Sequence, residues 1–142
     1  MALAAILDPS RPVAIGPGKP NADQEPLLRE LTIEKAFAGQ DLRDADAAAC
    51  CISAAWLWHD FLDSSHQISQ EIKTSSGSFW HAIMHRREED FSNSKCWFRQ
   101  VDGHPVYALI AEAAVPILSR YENSTSIRPL TEDGSWDPFA FV

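Results

Sequence analysis

The sequence predicts an all-α fold: a single-domain bundle of about five helices that contains an αα-hairpin and carries an extended N-terminal arm. Apolar residues recur every three or four positions in each long segment, and no segment alternates apolar and polar residues as a half-buried strand does. Proline and glycine separate these segments where helices usually begin and end. A chain of 142 residues, 45% of them apolar, is long enough to bury one hydrophobic core.

Residues 1–25 are predicted to form an extended or disordered arm, because prolines and glycines between positions 9 and 20 interrupt any helix. The apolar side chains of Ile6, Leu7 and Ile15 offer a way for the arm to lie over the helical body, but its composition favours disorder. A first helix is predicted over residues 26–38, since proline suits the first helical position and a glycine follows the last one.

A long second helix is predicted from Asp41 or Asp44, either of which can cap it, to about Ile72. Its buried side is a seam of apolar residues spaced by three, four or seven positions: Cys50, Ala54, Leu57, Phe61, Ile68 and Ile72. Polar residues follow the roughly opposite side, bordered by Trp56 and Leu62: His59, Asp63, His66 and Gln70. Because large apolar residues border this polar face, we expect another element to pack over it. The alternative is that the face is simply exposed to solvent.

Residues 77–101 are predicted to form the αα-hairpin, two short helices joined by a tight turn at residues 88–90. The first helix carries Phe79 and Ile83 on one face, and its other side carries a stripe at i, i+4 and i+7: His81, His85 and Glu88. The second helix, capped by Asp90 or Ser92, is expected to bury four residues: Phe91, Ser94, Phe98 and Val101.

Pro105 opens a last helix, which Pro116 kinks or restarts and which ends near Tyr121. The helical domain therefore spans residues 26–121. Residues 122–142 are predicted to be an irregular tail, and the apolar residues at its end are expected to dock on the body of the protein.

The central block resembles an uncharacterised family of bacterial and fungal proteins. The family's shared stretch reads roughly His-Ala-x-x-His-Arg-x-Glu-Gly-Asp-x-x-Asn-Ala, then an aromatic pair and arginine. The matching residues here are His81, Ala82, His85, Arg86, Glu88, Asp90, Asn93, Trp97, Phe98 and Arg99. The resemblance covers about residues 56–107 and implies no established activity. Glu89 and Ser94 depart from the pattern, and the missing glycine at position 89 implies a strained turn, because glycine eases a left-handed helix end.

The same block loosely resembles a tetratricopeptide hairpin, whose register fits Ala82, Asp90, Phe91 and Phe98. Only one copy is visible, whereas a solenoid needs about three repeats for stability. This resemblance implies a helical hairpin and says little about function.

Composition excludes several classes of function. A net charge of −8, from 20 acidic and 12 basic residues, disfavours nucleic acid as a partner. The chain has no apolar run of the roughly 18 residues that a membrane span needs. Three cysteines without a disulfide framework, and no basic leader, predict a cytoplasmic protein. The expected partner is a small molecule, and a homodimer is allowed.

The two polar stripes predict one site in which His66, His81, His85 and Glu88 come together between neighbouring helices. Histidine titrates near neutral pH, so these residues are candidates for acid/base catalysis on a small, largely apolar molecule, as in a lyase, isomerase or cyclase. Residues that would bind the substrate or shape the pocket are His59, Asp63, Gln70, Trp56, Trp80, Arg86, Asn93, Trp97 and Arg99.

Two alternatives stay open. No cofactor is required, but a divalent metal could be held by His81, His85 and Glu88, although this spacing lacks the glutamate of the zincin signature. The chain could instead be a tetratricopeptide-like interaction or dimerisation module in which the histidines are structural. An enzyme is slightly favoured, and the direction in which the histidines point distinguishes the two classes.

Overall fold

The computed structural model describes Leu3, residues 6–118 (without the side chain of Leu118), Arg120 and residues 135–142. Across these residues the fold is all-α, as the sequence predicts, and contains no strand. The helices are α1 Glu25–Arg29, α2 Ile33–Ala36, α3 Ala45–Trp58, α4 Leu62–Ser69, α5 Ser75–Arg87, α6 Phe91–Val101, α7 Val106–Leu118 and α8 Pro138–Phe141. No helix in the described part of the chain is long and apolar enough to cross a membrane. The predicted helix end at Tyr121 and the tail over residues 122–134 lie outside the described residues.

The predicted long second helix is wrong, because the chain breaks it into α3 and α4 around Asp60. Asp60 has a left-handed φ of +66°, and its carboxylate accepts hydrogen bonds from Arg11 and Arg87. These two ion pairs hold a turn that an uninterrupted helix could not contain. His59, at the end of α3, consequently does not continue the helical face of Asp63 and His66, which both lie in α4. The predicted first helix is also divided, since Thr32 starts α2 by accepting a hydrogen bond from the Lys35 amide at 3.3 Å.

Helix α5 lies at the centre of the bundle and packs against α3, α4 and α6. Thr74 caps it by accepting a hydrogen bond from the Gly77 amide at 3.2 Å. Glycine is required at this position because a Cβ atom would overlap the carbonyl oxygen and side chain of Ile72. Farther along, Ser94 of α6 donates a hydrogen bond to the carbonyl oxygen of Ala82 at 2.8 Å, and both residues are fully buried. Small residues thus let α5 approach its neighbours closely.

Apolar side chains form two clusters, and only the second includes residues of α5. The first joins the arm, α1 and α2 to α3, and its buried members are Ile6, Leu28, Leu31, Ala36, Ile52, Ala55 and Trp56. The second joins α5, α6 and α7 to the C-terminal residues, and its buried members are Phe79, Ala82, Phe98, Val101, Ala111 and Trp136. The histidines of α5 belong to neither cluster and contact His66 and Ser69 of α4.

Six of the ten positions predicted to be buried along the long second helix and the second hairpin helix are buried: Cys50, Leu57, Ile72, Ser94, Phe98 and Val101. Ala54 and Ile68 are half-buried. Phe61 is only half-buried, against the edge of Trp56 with ring centroids 5.3 Å apart, because it lies in the break between α3 and α4. Phe91 was expected to be buried and is 43% exposed. It starts α6 at the surface, where its ring lies 5.2 Å from the guanidinium carbon of Arg86.

The described part of the N-terminal arm lies across α3 and α5. Ile6 is buried, and its carbonyl oxygen lies 2.8 Å from Nε2 of His59. Arg87 donates a hydrogen bond from Nε to the carbonyl oxygen of Gly16 at 3.1 Å. The amide of Asn21 donates to the carbonyl oxygen of His59 at 3.0 Å. Polar groups of the helical body therefore fix the path of the arm.

Replacing Glu89 by glycine is expected to stabilise the protein. Glu89 is exposed and has a left-handed backbone conformation, with φ +65°. A non-glycine residue in this region is strained by about 1–2 kcal/mol, partly offset by the entropy that glycine adds to the unfolded chain. Glu89→Gly should therefore raise the free energy of unfolding by up to about 1 kcal/mol in urea titrations.

The matched control is Cys96→Gly, at an exposed position inside α6. There glycine relieves no strain and should lower the free energy of unfolding by about 1 kcal/mol. If both variants destabilise the protein equally, the turn at Glu89 is not strained.

Candidate functional site

Three imidazole rings converge between α4 and α5. His81 and His85 share one face of α5, and His66 of α4 packs against both, with ring centroids 4.7 Å from His81 and 5.1 Å from His85. His81 is 2% exposed and His85 is 7% exposed, whereas His66 is half-buried. One nitrogen atom from each ring lies within 4.8 Å of the others. The three histidines therefore form a single cluster, called here the histidine cluster.

Polar contacts link this cluster to a serine at one end and to a carboxylate at the other. Nδ1 of His81 lies 3.0 Å from Oγ of Ser69, and Nε2 of His81 lies 3.0 Å from Nε2 of His85. Nδ1 of His85 lies 3.2 Å from a carboxylate oxygen of Glu88, but no well-formed hydrogen bond joins them. Because the two Nε2 atoms face each other at hydrogen-bonding distance, one ring carries the proton and the other accepts it.

Burial keeps the two histidines of α5 neutral. Loss of hydration, reinforced by repulsion from His85 and His66, lowers the pKa of His81 from 6.5 to about 3. Burial also lowers the pKa of His85, although the nearby Glu88 carboxylate opposes this effect. At neutral pH both rings are therefore uncharged and keep a nitrogen lone pair. An imidazole with so low a pKa is a weak base but a suitable metal ligand.

Trp97 is the predicted pocket residue that contacts the cluster most directly. Its half-buried ring lies 4.1 Å from the ring of His81, centroid to centroid, and covers one side of it. Asn93 is exposed and donates a hydrogen bond to Asp90 at 2.7 Å, so it stabilises the start of α6. Arg99 is also exposed.

Several other predicted residues have different surroundings. His59 is buried and contacts the arm, with Nε2 at Ile6 and Nδ1 lying 3.2 Å from the side-chain nitrogen of Asn21. Trp56 belongs to the first apolar cluster. Arg86 donates a hydrogen bond to the carbonyl oxygen of Phe141 at 3.2 Å. The structure thus gives these three side chains contacts away from the histidine cluster.

Two of the remaining residues that were predicted to bind substrate line a groove and a cavity, respectively. Asp63 is exposed and lines an open groove of about 600 Å³, which Glu88 lines as well, so the groove adjoins the histidine cluster. Trp80 lines a separate apolar cavity on the side of the arm. Gln70 is half-buried at the end of α4.

Sequence analysis missed Ser69, which is fully buried and contacts His81. The sequence feature that could have identified it is the pair of small side chains, Ser65 and Ser69, at i and i+4, because such a pair lets another helix pack closely against this face. The possible metal ligands also differ from those predicted. His66 completes the set with His81 and His85, while Glu88 contacts the nitrogen of His85 that faces away from His81.

No family model, curated protein or solved structure matches the chain.

Acid is expected to destabilise the metal-free protein partly through His81. Its pKa is lowered on folding, so the unfolded chain binds a proton below about pH 6.5 that the folded protein does not. The contribution of His81 to stability is complete above that pH and declines as the pH falls towards 3. Urea titrations between pH 7.5 and 4, with a chelator present, should show a shallower decline for His81→Gln than for the parent protein.

The control is His104→Gln, which removes a histidine that contacts Ser76 at the start of α5. The free energy of unfolding of His104→Gln should decline with falling pH as steeply as that of the parent protein. An identical decline in the parent and in His81→Gln would show that His81 is not held neutral by burial.

Proposed function

We propose that the protein binds a divalent transition-metal ion, zinc in the first instance, at His66, His81 and His85 and uses it on a small, largely apolar molecule. The observation that carries this proposal is the convergence of three imidazole nitrogens within 4.8 Å of one another. Helical bundles build metal sites from side chains on facing helices in this way. Neutral imidazole is also the form of histidine that binds metals.

The spacing of the nitrogens fits zinc coordination. Zinc lies about 2.0–2.1 Å from histidine nitrogens, so two ligands of a tetrahedral site are about 3.3 Å apart. The Nε2 atoms of His81 and His85 lie 3.0 Å apart. His66 is half-buried at the surface of the cluster, and a shift of up to about 1.5 Å would bring its nitrogen from within 4.8 Å of the others to the same distance. Three protein ligands leave a fourth position open for water or substrate, as in catalytic zinc sites.

The groups behind His81 and His85 support the same assignment. Histidines that bind a metal through one ring nitrogen usually donate a hydrogen bond from the other, which fixes the tautomer and raises the affinity. If the Nε2 atoms bind the ion, the Nδ1 atoms of His81 and His85 become the donors. Ser69 and Glu88 lie beside these two atoms, at 3.0 and 3.2 Å. The metal therefore explains why both groups are present.

The groove lined by Asp63 and Glu88 reaches the side of His85 that faces away from His81. A substrate would instead approach the open position of the ion past the half-buried His66. A metal ion with an open position polarises a carbonyl group or lowers the pKa of bound water. Glu88, with 30% of its side chain exposed, is placed to move a proton between the groove and the cluster. A lyase, isomerase or cyclase that acts on a carbonyl compound can use both polarisation of the carbonyl group and proton transfer. Metal-free acid/base catalysis by the same residues is the second version, although the low pKa of His81 makes it a weak base.

Metal binding can be measured directly on protein stripped by a chelator. Cobalt(II) should bind with a stoichiometry of one per chain and give visible absorption typical of tetrahedral coordination, and zinc should displace it. His66→Gln, His81→Gln and His85→Gln should each abolish this absorption because each removes a ligand. Glu88→Gln and Ser69→Ala should weaken binding about 10–100-fold through the loss of a supporting contact.

The matched control is His104→Gln, which removes a histidine outside the cluster and should bind cobalt normally. No stoichiometric binding by the parent protein, or equal binding by all variants, would contradict the metal centre. The metal-free version would then be tested by substrate turnover.

An interaction or dimerisation module is a second candidate, favoured by the exposed apolar side chains of α7. Leu109, Val115 and Ile117 are all more than half exposed. A second copy of the chain could cover them, and Leu109→Glu would then convert a dimer into a monomer. Sedimentation analysis of both proteins provides the test, and a monomeric parent protein would rule out this dimer.

A further inference from the structure

We propose that an aromatic groove between α5, α6 and α7 is a docking site for a peptide segment of another protein, and that residues 135–142, the docked segment, occupy it as a built-in competitor. The walls of this groove are the rings of Phe79, Phe98 and Tyr107. Their centroids lie 6.4, 5.8 and 5.1 Å from the centroid of Trp136, which fills the groove. The docked segment thus shows which ligand chemistry the groove accepts.

The docked segment binds through separate anchors, as short peptide ligands do. Trp136 and Pro138 are buried, whereas Asp137 and Phe139, which follow each of them, are exposed. Phe141 is half-buried, and its ring centroid lies 5.4 Å from that of Trp136. A desolvated aromatic anchor with exposed neighbours is typical of peptide segments that dock in a groove of another chain.

Few polar contacts join the docked segment to the helical body. Among the described residues, the one hydrogen bond between them runs from Nε of Arg86 to the carbonyl oxygen of Phe141, at 3.2 Å. The turn of α8 depends on the segment alone, because the carboxylate of Asp137 accepts a hydrogen bond from the amide of Phe139 at 2.8 Å. Segments held by few buried contacts are the first to open locally. The docked segment is therefore able to leave the groove while the helical body stays folded.

The occupied groove leaves one polar group unsatisfied. Oη of Tyr107 is buried and has no hydrogen-bond partner, although the ring of Tyr107 is the wall nearest to Trp136. Buried hydroxyl groups without a partner are uncommon, because they lose their hydration without compensation. The docked segment is consequently not the best ligand for this groove. A segment that places an acceptor at Oη of Tyr107 would bind more tightly and displace it.

Helix α7, which supplies Tyr107 to the groove, also carries exposed apolar surface. Leu109, Val115 and Ile117 are each more than half exposed. A partner longer than the docked segment would extend over this surface. The net charge of −8 favours a partner with basic residues around its anchors. The expected partner is therefore a basic segment with a tryptophan, a proline two positions later and an aromatic residue five positions after the tryptophan.

The probe is a fluorescein-labelled peptide with the sequence of residues 134–142, GSWDPFAFV. In the parent protein the tethered segment competes at an effective concentration of roughly millimolar, so the peptide should bind weakly. Trp136→Ala in the full chain removes the tethered anchor, and in anisotropy titrations this variant should bind the peptide at least about tenfold more tightly. Circular dichroism and cooperative unfolding establish that the variant folds, and Phe141→Ala takes its place if it does not. Equal affinities of parent and variant, or no binding by the folded variant, would overturn the proposal.

Matched peptides and arginine variants test where the peptide binds. A peptide with alanine in place of Trp136 should not bind, whereas one with alanine in place of the exposed Phe139 should bind normally. In the Trp136→Ala protein, Arg86→Gln should weaken binding by about tenfold, the loss expected for one charge-assisted hydrogen bond. Arg99→Gln is the control, since Arg99 is exposed on α6. Equal binding of the peptides, or unchanged binding after Arg86→Gln, would place the peptide outside the groove and overturn the proposal.

Sedimentation analysis tests the source of the partner. A monomeric parent protein, or a dimer that excess peptide leaves intact, agrees with a segment of another protein. A dimer that excess peptide dissociates would assign the groove to a second copy of this chain and overturn the choice of partner. These results are independent of the metal centre, because no member of the histidine cluster belongs to the apolar cluster around Trp136.

Discussion

Helix α5 is buried on most of its surface, and its polar side chains therefore need partners inside the protein. Arg87 finds one in Asp60, whose own left-handed turn ends α3 and starts α4. The same guanidinium donates to the carbonyl oxygens of the arm and so determines where the first residues lie. Removing one partner of such a buried pair costs about 3–5 kcal/mol, because it leaves an unpaired charge. The path of the chain before and after α3 thus depends on Asp60 and its two arginine partners, Arg87 and Arg11.

The histidines of α5 satisfy the same requirement in a different way. His81 and His85 contact each other and are held by Ser69 and Glu88, so a metal-free cluster is already partly satisfied. Such a cluster could be purely structural. However, leucine side chains would fill this helix crossing at a lower cost in free energy than three imidazoles, which repel one another when protonated. A bound cation would use the lone pairs of all three rings and give both supporting groups a role, which is why we favour a metal centre.

Part of this arrangement could be predicted from the sequence. The spacing of four residues between His81 and His85 places them on one face of any helix. The large apolar residues beside the polar stripe that contains His66 indicated that another helix covers this stripe. The structure does bring these residues and Glu88 together. The break at Asp60 could not be predicted, because it depends on a partner 27 positions away and on a left-handed residue that is not glycine. His59 was misassigned for the same reason, since a helix without that break would place it on the stripe of His66.

The most direct test of the metal centre is X-ray absorption at the zinc edge on protein loaded with one equivalent of zinc. We expect three histidine nitrogens at about 2.0–2.1 Å, with multiple-scattering features of imidazole, and one further light ligand. His66→Gln should reduce the histidine count to two or fewer. A shell of oxygen ligands without imidazole scattering, or a sulfur ligand at about 2.3 Å, would place the ion elsewhere and contradict the account.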